Sequence, residues 1–493
     1  MSEERLVNQL LEAFARDPAK ALDTLPPKHD SQGQEVHKTA FDADAIASRR
    51  YVDGRDDLRR AQAMIDHGVI IRLEDVLPGR APYEFSDRAE SLVDRLTYTD
   101  LATMEEANLR SAELRESPWS DDYWAICRGI LGARYADPAF PGGDRWDLNR
   151  RYTHERTPAS IVASGDALAI ERLSPSEKYD LLIGEQSGAL TRAMWTEGES
   201  YFERFGKVET WMGICHGWAP AAYMLRRPRR AVTVLAADGV TRLRFFPSDI
   251  KGLASLLWAH THTVSRFIGG RCNDKDPARD RVGRVVSQHC FDTNPGSWHL
   301  AVVNQIGHSR RSMVIDATFD YEVWNQPVFS YRYHHFNPQT LRFSPTLHGA
   351  KVPYSDFTRD WFRAYRSPNV ASIAGIVMTV GYVVETAPSH APSDSPARDA
   401  IHEVRYVYDL ELNSTGEIIG GEWYTNRHPD FLWTPAADAR AKTSADSFAR
   451  GAWDPDLPLP ESWRNAASRA AGSPAGAAPL ARIVEGLIEL ADG

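Results

Sequence analysis

The sequence is short of lysine, and its 493 residues hold only four cysteines, Cys127, Cys215, Cys272 and Cys290. No CxxC or HxxxH pair supplies a zinc-ligand spacing, so no structural metal is expected. Nowhere does an apolar run approach the ~20 residues that a membrane span requires. There is no excess of positive charge: 57 Lys and Arg stand against 67 Asp and Glu, a net charge of −10. A phosphate-binding face is therefore not the expected main surface, and neither nucleic acid nor a membrane is an expected partner. The opening residues, MSEERLVNQLLEAFARDP, put acidic residues first and no apolar stretch after them. That is not the layout of a signal peptide. Cytoplasmic residence is the expectation, with export only by a non-classical route. No internal repeat is present.

What remains is an ordinary globular composition with 42% hydrophobic and 25% charged residues. The length calls for two or three domains. Residues 1–115 read as a helical N-terminal region: Leu6, Val7, Leu10, Leu11 and Phe14 keep helical spacing. Further helices are expected over Asp44–Asp66 and Ser86–Glu113. Residues 116–435 form the expected core, and residues 436–493 a C-terminal wrap and linker ending in an amphipathic helix. Leu480, Ile483, Val484, Leu487 and Ile488 line one stripe of that helix, which must bury against something. Ser174, Pro175 and Glu177 predict a capping box. Asp238-Gly239 predicts a hairpin turn, and Ser248 is expected to cap the next helix. The RRPRR run, Arg226–Arg230, reads as an exposed turn. Ile373–Glu385 and Val404–Leu412 read as strands.

The stretch richest in chemistry is Glu209–Met224, ETWMGICHGWAPAAYM. Cys215 stands between Gly213 and Gly217, and the small run Ala219–Ala222 follows. The pattern predicts a tight approach into the first turn of a buried helix, with the thiol against unpaired backbone N–H groups and the positive end of the helix dipole. Both favour the thiolate. An isolated cysteine is more often an inert core residue, so a base and an orienting acceptor are needed as well. His299 is expected to open a strand, His299–Val303, and Asp316 to follow a strand, Ser312–Ile315. As antiparallel neighbours these would bring the two side chains together. Cysteine on a helix, then histidine and aspartate on a sheet, is the arrangement of a papain-like transglutaminase core, an α+β fold with the nucleophile helix packed on an antiparallel sheet.

Longer segments carry a wider resemblance. PWSDDYW (Pro118–Trp124), LSPSEKYDLLIG (Leu173–Gly184), WMGICHGWAPAA (Trp211–Ala222), CFDTNPGSWH (Cys290–His299), VIDATFDYEVWNQPV (Val314–Val328) and GGEWYTNRHPDFLW (Gly420–Trp433) occur in that order. Over roughly Pro118–Trp433 the chain resembles the transglutaminase elicitor family, which includes a Phytophthora cell-wall transglutaminase and bacterial relatives. The abundance of Arg and Ala also suits a bacterial source. The resemblance assigns the nucleophile to Cys215, the base to His299 and the orienting acid to Asp316, with Asp320 as a rival for the last role. It also makes Cys272 and Cys290 candidates for a disulfide, although a reducing compartment favours two free thiols.

The implied reaction is acyl transfer from a glutamine carboxamide, borne by a protein or peptide, to a primary amine through a Cys215 thioester. The Cys215 backbone N–H is one expected oxyanion donor. An indole N–H is the other: Trp211 or Trp218 by position, with Trp124 and Trp298 as further candidates. Three other reactions fit the same triad: glutamine deamidation, peptide cleavage and biosynthetic amide formation. A non-enzymatic elicitor or binding role is a further alternative. The chemistry itself requires no cofactor. Calcium is open, with oxygen ligands in Asn273–Asp280 and Asp320–Glu322 but no EF-hand spacing.

Overall fold

Local capping chemistry decides where several helices begin. The computed structural model describes residues 3–36, 87–270, 277–287, 290–317, 323–474 and 476–492. Six helices bear on the argument: α1 (Glu3–Arg16), α2 (Pro175–Ile183), α3 (Cys215–Met224), α4 (Pro247–His260), α5 (Pro295–Val302) and α6 (Ala481–Asp492). At the start of α2 the Ser174 hydroxyl accepts from the Glu177 N–H at 3.3 Å, and the Glu177 carboxylate accepts from the Ser174 N–H at 2.9 Å. This is the expected capping box. In α4 the cap falls on Phe246 rather than Ser248. Pro247 takes the first helical position and Asp249 accepts the Phe246 N–H at 2.8 Å. Asp249 is paired with Lys178 of α2 at 2.7 Å, both fully buried, so the two helices are locked by charge as well as by packing.

Eleven of the described strands join one antiparallel sheet. Its main path runs β1 (Lys28–Asp30), β11 (Ala400–Leu412), β10 (Ser372–Val384), β7 (Asn325–Asn337), β6 (Val314–Asp316), β13 (Phe431–Pro435) and β5 (Ser265–Gly269). Off this path, β2 (Ser111–Glu113) and β8 (Arg342–Ser344) pair with β7, β9 (Lys351–Pro353) with β10, and β12 (Ile418–Trp423) with β11. The remaining pair, β3 (Val232–Leu235) and β4 (Arg242–Phe245), is the hairpin expected around Asp238-Gly239. Mixed helices on an antiparallel sheet make the fold α+β.

The sheet has a hydrophobic core on each face, because successive strand residues point to opposite sides. Val314, Val383, Phe431 and Trp433 belong to one core, which also holds α3, α4 and α6. Their neighbours Ile315, Tyr382, Val384 and Leu432 belong to the other, which holds Trp298, Ala301 and Val302 of α5. The apolar stripe of α6 is therefore buried within the molecule.

Several expectations are corrected. The N-terminal region is not purely helical: β1 pairs with β11 and β2 with β7, inside the large sheet. Residues 87–113 form a short 3-10 turn, one helix over Leu101–Glu106 and β2 rather than one long helix. The expected helix at Asp44–Asp66 lies outside the described residues. Arg227, expected on an exposed turn, is buried and paired with Asp394 at 2.9 Å and Asp399 at 2.6 Å. His299 begins no strand. Asn294 caps α5 by accepting the Gly296 N–H at 2.8 Å, and Pro295 occupies the first helical position. This Asn-Pro start signal outweighs the β-branched run that follows.

Candidate active site

Cys215 is the first residue of α3, and no side chain caps that end of the helix. Gly213 lets the chain pass against Tyr123, where a Cβ would stand 2.4 Å from the Tyr123 carbonyl oxygen. Gly217 lets α3 lie against α4, where a Cβ would stand 2.1 Å from the Ser255 carbonyl oxygen. Both glycines beside the cysteine are thus fixed by close backbone approach. The result places the Cys215 sulfur at the start of β7. Its thiol donates to the Val323 carbonyl at 3.7 Å, and the Asn325 side-chain amide donates to the sulfur at 3.6 Å. Asn325 is held in turn, because Trp433 Nε1 donates to its Oδ1 at 2.8 Å.

Asp316 lies directly across the β6–β7 ladder from Asn325. It is fully buried, and its Oδ1 accepts the Trp324 backbone N–H at 3.0 Å. Cysteine, asparagine and aspartate therefore meet at one corner of the sheet. Burial pushes the Cys215 thiol up to about 11; hydrogen bonds from Asn325 act in the opposite direction, while the charges of Glu385 and Asp316 add to the rise. Burial thus opposes the thiolate that the helix start favours. Only 6% of Cys215 is exposed, so desolvation outweighs the helix terminus.

The structure does not bring His299 to this corner. His299 is carried by α5 on the opposite face of the sheet, with its Nδ1 hydrogen-bonded to the Tyr408 hydroxyl at 2.8 Å and its ring 4.8 Å from that of Tyr333. Tyr333 and Tyr408 belong to the core behind the sheet, and Cys215 to the core in front of it. Burial and the neighbouring His335 lower the His299 imidazole to about 3. It is a neutral, packed core histidine. Among the described residues no histidine hydrogen-bonds to Cys215. Asp320, the rival acid, lies outside the described residues.

The indole candidates separate in the same way. Trp218 Nε1 donates to the Trp119 carbonyl at 3.0 Å and Trp124 Nε1 to Asp121 at 2.9 Å, so both donors are committed. Trp298 packs on Tyr406 and Trp423 behind the sheet. Trp211 lies in the turn leading to Cys215 and in the same core. The donor that sequence reasoning missed is Asn325. It sits inside the VIDATFDYEVWNQPV segment, but only the register of β6 on β7 reveals its proximity to Cys215.

Cys290 is disulfide-bonded, and its expected partner Cys272 lies outside the described residues. Cys127 and Cys215 are free. Among the described residues no group of three or more His, Cys, Asp or Glu side chains is placed to hold a metal ion. None of the described helices is long and apolar enough to cross a membrane.

A cysteine helix packed on an antiparallel sheet that presents an aspartate beside the sulfur is an α+β layout suited to cysteine chemistry. A model of the transglutaminase elicitor family matches residues 90–448, so the chain belongs to that family. Its solved-structure likeness is to the GP42 transglutaminase from Phytophthora sojae, with a TM-score of 0.46 and 21% identity, covering 68% of this chain and 86% of that one. A comparison with curated proteins finds no match.

Proposed function

We propose that this chain is a protein-glutamine acyltransferase of the transglutaminase type, with Cys215 as nucleophile. The observation that supports it most is the Cys215–Asn325 contact, because it pairs the sulfur with a fixed, preorganised donor. Membership of the family supports the reaction class. In the first half-reaction the Cys215 sulfur attacks the carboxamide carbon of a glutamine side chain. The C–S bond forms, the C–N bond breaks, and the nitrogen leaves as ammonia with the proton that the thiol gave up. In the second, a primary amine attacks the thioester carbon. The new C–N bond forms, the C–S bond breaks, and the amine's proton returns to the sulfur.

Each residue at the corner has a part in this scheme. The Asn325 amide and the uncapped N–H groups of α3 stabilise negative charge, first on sulfur and then on the carbonyl oxygen. Asp316 supplies the buried acid that orients the proton carrier. His299, hydrogen-bonded to Tyr408 on the other face of the sheet, is given no part in this scheme.

Incorporation of a fluorescent primary amine into a glutamine peptide tests the reading. The full chain should catalyse it and the Cys215→Ala variant should not. Equal turnover by both would overturn the proposal. Peptide cleavage without amine incorporation would replace it with a peptidase.

A further inference from the structure

Asp292, which is within electrostatic reach of Asp316, opens onto a cavity of about 340 Å³ that nothing in the proposed acyl-donor site uses. Asp87, Asp292, Phe291, Asn294, Trp423 and His428 line it, and its wall is mainly apolar. Its volume falls in the range of small-molecule sites and far exceeds that of a single water.

The polar groups of this cavity are unusual. Asp87 takes the Asn294 N–H on one oxygen at 2.6 Å, while its Oδ1 is buried without a hydrogen-bond partner. The Asp292 side chain is only 10% exposed and its Oδ1 has no partner either. Its other oxygen stands 3.9 Å from His428 Nδ1, too far for a hydrogen bond. The cation on this wall, Arg284, is already taken by Glu422, at 2.7 and 3.0 Å. His428 stacks on Trp423 with ring centroids 4.6 Å apart and an 11° tilt. Two buried acceptors lacking donors, an aromatic pair and apolar walls together ask for a ligand with a cationic, hydrogen-donating head and an apolar stem.

We propose that this cavity binds a primary ammonium on a short alkyl stem, such as a lysine side chain or an alkyl diamine, with Asp292 and Asp87 accepting from its head. Asp316 is within electrostatic reach of both Asp292 and Cys215. A bound amine would therefore lie within the field of the acid that also acts on Cys215. Its role as the acyl acceptor rests on the function proposed above, but its binding does not.

The test is ligand-observed NMR on the full chain without an acyl donor, comparing n-butylamine with n-butanol, which has the same stem and no charge. The amine should bind at least about tenfold more tightly than the alcohol, as a charge-assisted hydrogen bond in a buried site implies. Asp292→Asn should weaken the amine by about tenfold while leaving the alcohol unchanged, with folding checked by circular dichroism. Equal binding of the two ligands, no binding of the amine, or indifference to Asp292→Asn would overturn the site. If that variant does not fold, the amine–alcohol comparison on the unaltered chain decides. Butylamine binding without amine incorporation would sink the acyl-transfer reading and leave the cavity standing. Incorporation without a preference for the ammonium would do the reverse.

Discussion

The Asn325 side-chain amide points at the Cys215 sulfur from 3.6 Å, and Trp433 fixes the other end of that amide at 2.8 Å. A donor clamped in this way costs no reorganisation when charge appears on its acceptor. Asn325→Ala should therefore lower kcat for amine incorporation by about a hundredfold, the loss typical of one oxyanion donor. It should also raise the pH at which Cys215 is alkylated, because the side-chain hydrogen bond from Asn325 lowers the thiol pKa against the rise that burial causes. A kcat within a few-fold of the parent would remove Asn325 from the chemistry.

Asp316 acts on the same thiol with the opposite sign. Its charge adds to the rise of the Cys215 pKa. Replacing it with asparagine should shift the alkylation midpoint to lower pH, even as acyl transfer falls. Rates of iodoacetamide labelling across a pH series give the midpoint directly. An unchanged or higher midpoint would show that the two groups do not interact.

His299 should matter for stability and not for turnover. Its imidazole is held near 3 in the folded protein, against an ordinary 6.5. Below pH 6.5 the unfolded chain takes up this proton and the folded chain does not. The stability contributed by the neutral ring is thus complete above 6.5 and is lost as the pH falls toward 3. At about 1.4 kcal/mol per pH unit, the interval amounts to roughly 5 kcal/mol. His299→Gln should flatten the acid limb of stability measured by urea unfolding, with amine incorporation within a few-fold of the parent. Abolition of turnover in a folded His299→Gln protein would restore the original triad.

Gly217→Ala tests the packing that aims the cysteine. The added methyl would stand 2.1 Å from the Ser255 carbonyl and 2.6 Å from Ala259. Overpacking of that kind costs about 1–3 kcal/mol. The variant should lose that stability in urea unfolding, together with most acyl transfer, because α3 must shift on α4. Wild-type stability would mean that the helices are less closely packed than described.

The sequence announced elements whose signals are local. Ser174 with Glu177, Asp238-Gly239 and the stripe of α6 depend on neighbours a few residues away, and each formed as its chemistry required. The strands of β10 and β11 were legible from their β-branched runs. The site was legible only in part. Cys215 stood out because its flanking glycines serve a close backbone approach that leaves a mark in the sequence. His299 misled because the apolar run after it suits a strand or a buried helix equally, and Asn294-Pro295 decides for the helix. Asn325 was invisible because its role comes from a ladder partner, Asp316, whose register no single sequence displays. Asp87 and Asp292 lie far apart in the chain and meet only through the folding of α5 against the sheet.

The claim on which all this turns is that Cys215 carries the acyl group. Mass spectrometry of the full chain, quenched in acid during turnover of a glutamine peptide, measures it. The account predicts a peptide adduct with loss of ammonia on the fragment containing Cys215, discharged by added amine and absent from Cys215→Ala. Amine incorporation without such an adduct, or an adduct confined to Cys127, would contradict it.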